Sequence, residues 1–167
     1  MRKYTASFML ILLAIVSSCS EEEASMRLSN FEIPVITGHF LKGASGTSYG
    51  TNGIPNVKVR EVTPTGSVYS FNVFPNPCSE LCRIDIQVPG SGILKKIWII
   101  PAQYEGNNQS TINNLGATTM ILGGEPVFEA EFSIDETTLD LSGLDSGYYR
   151  IYLQADNYLL YDNLVIL

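Results

Sequence analysis

Imidazole is scarce in this chain. Its 167 residues include one histidine, His39, one tryptophan, Trp98, and three cysteines. A multi-histidine metal site cannot be built from that stock, and a Ser-His or Cys-His catalyst would have to recruit His39 from a glycine-flanked segment. Positive charge is also short. Lys and Arg total 10 against 17 Asp and Glu, a formal charge of -7, so the basic surface that nucleic acid demands is missing. The charged fraction of 16% is low against roughly 25% in average soluble domains, while the 45% hydrophobic share excludes a disordered chain. Glycine is plentiful, but no Gly-rich stretch ends in the Lys-Ser/Thr pair of a phosphate-binding loop. No segment has convincing helical spacing, and no apolar run reaches the about 20 residues of a membrane-spanning helix.

What is present begins at the N-terminus. Arg2 and Lys3 precede the uncharged run Phe8–Val16, which has the length of a signal-peptide core. Val16-Ser17-Ser18-Cys19 follows, an aliphatic residue, two small residues and a cysteine. This resembles a bacterial lipobox. The resemblance implies cleavage after Ser18, diacylglycerol on the Cys19 sulfur and acylation of the new amine. An ordinary secretory signal followed by a chance cysteine is the contrasting reading. Several acyl chains on one residue give stable anchoring where one would be marginal. The expected partner of the N-terminus is therefore a membrane, reached through lipid. Ser20-Glu21-Glu22-Glu23 reads as a solvated acidic tether. It also resembles the acidic signal that sends lipoproteins outward in bacteria with type IX secretion, which implies an outer-membrane lipoprotein exposed at the cell surface rather than on the periplasmic face. Loss of residues 1–18 removes Arg2 and Lys3, so the mature charge is -7 - 2 = -9. A body this acidic does not dock on anionic headgroups.

The expected organisation is a signal peptide at 1–18, lipidated Cys19 and tether over 19–29, a loop-rich segment at 30–67 that packs on the main body, and a β-sandwich at 68–167. Residues 38–56 are dense in Gly, Ser, Thr and Asn, with Asn52-Gly53 a candidate hairpin turn. From Ile54 onward, period-two alternation dominates. Phe128, Ala130, Phe132 and Ile134 oppose Glu129, Glu131 and Ser133; Cys82, Ile84, Ile86 and Val88 oppose Arg83, Asp85 and Gln87; Tyr149, Ile151 and Leu153 oppose Tyr148, Arg150 and Tyr152. Such strands bury one face, as antiparallel sheets do. Ile93–Ile100 is apolar on both faces towards its end and reads as a central strand; Phe71–Phe74, Thr118–Leu122 and Tyr158–Leu167 supply more. The fold class is all-β, an antiparallel β-sandwich.

Two stretches carry a further resemblance. Asn72-Val73-Phe74-Pro75-Asn76-Pro77 leads through a small turn into Cys82-Arg83-Ile84; Pro75 and Pro77 remove two donors and end the first strand, and Asn76 and Ser79 suit side-chain turns. Leu139-Asp140-Leu141-Ser142-Gly143-Leu144 precedes Gly147-Tyr148-Tyr149-Arg150-Ile151. Together they resemble the C-terminal sorting domain of type IX secretion substrates, an Ig-like β-sandwich, over residues 68–167. The resemblance implies that Gly147 turns into a strand, Tyr149 packs inward and Leu144 caps the core edge. The family ends in a basic strand, whereas this chain ends Asn163-Leu164-Val165-Ile166-Leu167, and its polar hairpin at Gln103–Leu115 is longer. The fold therefore carries over and the sorting role does not.

Few residues offer chemistry. Cys78 and Cys82 remain once Cys19 is committed to lipid. An exported compartment permits a disulfide between them if a turn brings their Cα atoms within roughly 4.4–6.8 Å. The alternative is a buried small hydrophobe at Cys82 and a turn residue at Cys78. Asp135, Glu136, Asp140 and Asp145 lack the spacing of a calcium loop and read as solvated acids, so no metal or cofactor is expected. Tyr148, Tyr152 and Tyr104 form the candidate binding surface, because exposed rings stack on sugars or anchor protein partners; the contrasting role is to support a segment packed over them. The function that follows is a binding or structural role with a glycan or protein ligand, or as an accessory subunit of a surface complex. A small hydrolase and a stand-alone anchoring module are the alternatives. The expectation is against an enzyme, because no nucleophile, base and orienting group can be written from these residues.

Overall fold

Alternating side chains force strands to find a partner for their apolar face, and a computed structural model shows where they find it. The structure describes residues 31–106 and 122–167. The signal segment 1–18, Cys19, the tether over 19–29 and residues 107–115 of the polar hairpin lie outside the described residues, as does most of the strand expected at Thr118–Leu122.

The described chain is all β. In order, the strands are β1 (Phe31–Glu32), β2 (Val35–Ile36), β3 (Gly38–Lys42), β4 (Ser48–Gly53), β5 (Arg60–Val62), β6 (Val68–Phe74), β7 (Leu81–Gln87), β8 (Lys95–Pro101), β9 (Gln103–Tyr104), β10 (Leu122–Gly124), β11 (Phe128–Phe132), β12 (Glu136–Asp140), β13 (Gly147–Ala155) and β14 (Tyr158–Ile166). Two four-stranded antiparallel sheets, β11-β8-β13-β14 and β12-β7-β6-β5, form a sandwich. Tyr149, Ile151, Leu153, Ile97, Ile99, Leu160 and Leu164 from the first sheet meet Tyr69, Phe71, Val73, Cys82, Ile84, Ile86 and Leu139 from the second in one buried cluster. Each large aliphatic or aromatic side chain taken fully from water there stabilises the fold by roughly 1.5–3 kcal/mol. As the period-two patterns predict, β7, β11 and β13 bury their apolar set on this side, and Tyr149 and Leu144 join the core.

β13 and β14 form a hairpin from Gly147↔Ile166 to Ala155↔Tyr158. Its two-residue tip puts Asp156 at φ 53°, a left-handed conformation that Asp tolerates, and Asp156 Oδ2 accepts a 2.9 Å bond from the Tyr69 hydroxyl. β8 lies between β11 and β13, and Ile97–Ile100 are buried on both faces, as a central strand requires. Segment 30–67 contributes directly to the sandwich. Lys58 exchanges backbone hydrogen bonds with Tyr161 of β14; two residues later Arg60 begins β5, paired with β6, so the chain steps from one sheet to the other.

Three local expectations differ from the structure. Asn52-Gly53 ends β4 opposite Gly38 and His39; the hairpin turn is at Gly43–Thr47, where Gly46 N–H donates to Gly43 O. Ile134 is exposed because β11 stops at Phe132 and the chain crosses to the other sheet, held by Lys95 Nζ on Ser133 O and by Ile86 N–H on Asp135 O. Asn76 does not make a local turn. It is fully buried; its amide donates to Asn163 O at 2.7 Å and its carbonyl accepts from Val165 N–H at 3.1 Å. Together with Lys58 and the Cys78 N–H bond to Val165 O, it closes the free edge of β14.

Candidate functional site

The outer face of the β11-β8-β13-β14 sheet carries the chain's aromatic surface. Alternation along β13 places Tyr148, Arg150 and Tyr152 there, opposite the core-facing Tyr149, Ile151 and Leu153. Trp98 and Ile100 of β8 and Tyr161, Asn163 and Val165 of β14 share that face by register. In a simple sandwich this face would be wet, yet Trp98, Ile100 and Asn163 are buried. The cover is the N-terminal segment. β2 pairs in parallel with β9, Val35 with Gln103 and Ile36 with Tyr104.

Arg150 holds that cover down. Its guanidinium donates to the carbonyls of Val35 at 2.9 Å and Asn56 at 3.2 Å and to Asn163 Oδ1 at 3.1 Å, and it lies 4.9 Å from the Tyr161 ring centre. Asn163 donates onward to Gly38 O at 2.6 Å and Asn56 Oδ1 at 2.9 Å. Asn56 accepts from Thr37 N–H and donates to Val35 O. The Arg150 bonds to Val35 and Asn56 and the Asn163 bonds to Gly38 and Asn56 join the segment at 35–56 to the last two strands, and bonds from a charged donor are each worth about 1.5–3 kcal/mol.

The three tyrosines singled out from sequence are half-buried and engaged. Tyr104 stacks on Tyr148 at 4.5 Å with an interplanar angle of 9°, and His39 tilts against the other side of this cluster at 6.2 Å from Tyr148. Tyr152 stacks on Trp98 at 5.4 Å and 12° and lies 6.0 Å from Tyr161. Burial pushes the Tyr152 phenol up, with Arg150 partly opposing. Trp98, expected in the core, is buried against this outer face, where it meets Tyr152. The structure therefore brings Tyr104 and Tyr148 into one contact and gives Tyr152 to another.

A cleft of about 490 Å³ lies where β8 runs into β9. Ile33, Pro101, Ala102, Gly124 and Val127 line it, with Gln103 and Glu125 as its polar groups. Sequence reasoning did not find these residues. They come from the β1–β2 connection, the β8–β9 junction and the β10–β11 connection, which only the fold brings together. Apolar walls with a few polar groups suit a small organic ligand. A second groove of about 330 Å³ gathers Leu94, Lys96, Glu131, Gln154 and Asp156. Lys96 there lies 3.8 Å from Glu131, both partly exposed, a pairing that solvent screens.

The acids expected in solvent act locally. Asp135 pairs with Lys95, whose side chain is otherwise fully buried; Glu136 pairs with Arg83; the Ser142 hydroxyl and then its N–H hydrogen-bond Asp140 and draw its carboxyl below the ordinary range. Among the described residues no cluster of His, Cys, Asp and Glu could hold a metal ion. His39 is buried at 2% exposure with Nδ1 unpaired, and burial holds its imidazole below the usual range against the opposing pull of Asp162. Sequence reasoning also missed the buried pair Lys42–Asp162, 2.8 Å apart. The signal was available: Asp162-Asn163 interrupts an otherwise apolar final strand, and polar groups in such a strand need partners.

Cys78 and Cys82 are both buried free thiols; Cys78 Sγ lies 3.7 Å from Val165 O and Cys82 Sγ 3.7 Å from Phe74 O. Comparison with known proteins gives no match, either to a family model or to a curated sequence.

Proposed function

We propose that this chain is an outer-membrane lipoprotein, anchored through Cys19 and exposed at the cell surface, whose β-sandwich has a binding role towards a glycan or protein ligand. The signal core at Phe8–Val16, the small residues before Cys19 and the acidic tether support the anchor. The observation that carries the binding role is the cleft at Ile33–Gln103–Val127. An apolar wall, an amide and a carboxylate are groups that contact a sugar's apolar face and its hydroxyls. Ig-like topology, expected from the Phe74-Pro75-Asn76-Pro77 and Leu139–Leu153 motifs, belongs to the same reading.

Three measurements test it. Cys19→Ala should leave the detergent phase and the membrane fraction; retention there would refute the lipid anchor. The full-length chain, purified in detergent, should bind a subset of an immobilised glycan array, and Gln103→Ala with Tyr104→Ala should abolish that signal. Binding unaffected by both substitutions would remove the cleft from the reading. Added protease should degrade the chain on intact cells; protection until lysis would place it on the periplasmic face.

A further inference from the structure

We infer that Cys78 and Cys82 are joined by an intramolecular disulfide once the chain is exported, so that the Phe74–Cys82 turn is locked across both sheets. The inference rests on the export reading above and on the local geometry. The Cys78 backbone belongs to the first sheet's edge: its N–H donates to Val165 O, its carbonyl accepts from Leu167 N–H, and it bridges in parallel to Ile166. Cys82 is in β7 of the other sheet, opposite Leu139. Between them the chain reverses through Ser79 and Glu80, where Glu80 O accepts from Leu141 N–H. The path is a turn and not an extended strand, as bridging requires.

Both side chains enter the same apolar core cluster, at 2% and 0% exposure. The remaining partners of the sulfurs are backbone carbonyls: Val165 O at 3.7 Å from Cys78, and Phe74 O at 3.7 Å from Cys82. Two buried thiols across one turn, with no metal-holding cluster among the described residues, suit a disulfide pair rather than a metal site. The roles are also unequal. The hydrogen bond from Cys82 holds the Cys78 thiol below its ordinary range, while the same bond and burial push Cys82 up. Cys78 is thus the better thiolate and Cys82 the resolving thiol.

Oxidation needs an acceptor, and the acceptor class is a disulfide-bearing oxidoreductase of the cell envelope. The Cys78 thiolate attacks one sulfur of the carrier disulfide, breaking the carrier's S–S bond and forming a mixed disulfide. Cys82 loses its proton to solvent and attacks Cys78 Sγ, expelling the carrier's second thiolate. Two electrons and two protons leave this chain, and the carrier becomes a dithiol. Because both sulfurs are buried in the finished fold, the exchange occurs before β14 closes over Cys78.

The experiment uses the full-length chain from envelope membranes, acid-quenched, denatured and alkylated with and without prior reduction, then peptide-mapped. The expected result is a linked Cys78–Cys82 peptide and alkylation only after reduction. Reduction should lower the melting temperature of the intact protein by about 5 °C, since the closed loop is short. The double variant C78S/C82S should show no shift on reduction. Full alkylation of both residues without reduction, in chain recovered from the membranes, overturns the inference. If the chain is instead found in the cytosol, the export reading fails on its own. Purified chain is then unfolded in urea and refolded with oxidised glutathione: an internal bridge still supports the pairing, and glutathione adducts alone, or no reaction, overturn it.

Discussion

Lys42 Nζ lies 2.8 Å from Asp162 Oδ2 inside the protein, with the two side chains 7% and 0% exposed. β3 supplies the ammonium and β14 the carboxylate, so the pair ties the early hairpin to the last strand across 120 residues of sequence. Asp162 Oδ1 accepts the Asn163 N–H at 2.8 Å, which satisfies more of its acceptor capacity. Removing one partner leaves a buried uncompensated charge. Asp162→Ala should therefore destabilise the fold by about 3–5 kcal/mol, and Lys42→Met combined with Asp162→Leu should cost much less. Urea midpoints for the two single variants and the double variant check this. Additive losses would show that the charges act independently.

Asn76 does with a side chain what a neighbouring strand does with its backbone. Asn76→Ala would leave Asn163 O and Val165 N–H unpaired in a buried setting, at a cost of about 1–3 kcal/mol. Amide hydrogen exchange at Val165 should accelerate relative to Leu164 and Ile151. Unchanged exchange at Val165 would show that its protection comes from elsewhere.

His39 predicts acid sensitivity. Burial favours its neutral form, so its folded pKa lies below the unfolded value of about 6.5, while Asp162 opposes the shift. The unfolded chain then binds a proton that the folded chain refuses. The stability that comes from this difference is fully present above about pH 6.5 and is lost as the pH falls towards the folded pKa. His39→Phe keeps a ring beside Tyr148 and removes the proton site. The fall in urea midpoint between pH 7.5 and 5.5 should shrink in the variant. An equal fall in both proteins would assign the effect to other groups.

Glycine substitutions separate strain from collision. Gly66 and Gly53 both have positive φ, at 84° and 73°. A Cβ on Gly66 meets nothing within 4 Å, whereas one on Gly53 would come within 2.3 Å of the Thr37 carbonyl. Gly66→Ala should cost only the left-handed backbone penalty, about 1–2 kcal/mol. Gly53→Ala must also displace the β3–β4 ladder and should cost distinctly more. Comparable melting temperatures for the two variants would contradict the close approach.

The period-two strands were legible in the sequence because alternation is a local property: Cys82–Val88, Phe128–Phe132 and Tyr149–Leu153 each state which side faces apolar matter. The end of β6 at Phe74 was equally legible, since proline ring chemistry decides it without help from the rest of the chain. The scarcity of imidazole and basic charge needed no fold to carry its exclusions. Tertiary structure alone decided where the second face of the β11-β8-β13-β14 sheet went. Tyr148, Arg150 and Tyr152 read as outward residues, and they are; what sequence could not state is that residues 35–56 meet Tyr148 and Arg150, because Arg150 and Asn163 reach carbonyls more than 90 residues away. The pairing of Lys42 with Asp162 and the use of Asn76 as an edge strand have the same origin. Periodicity reports which face a side chain takes, while the partner that fills that face depends on chain reversals that bring distant segments together.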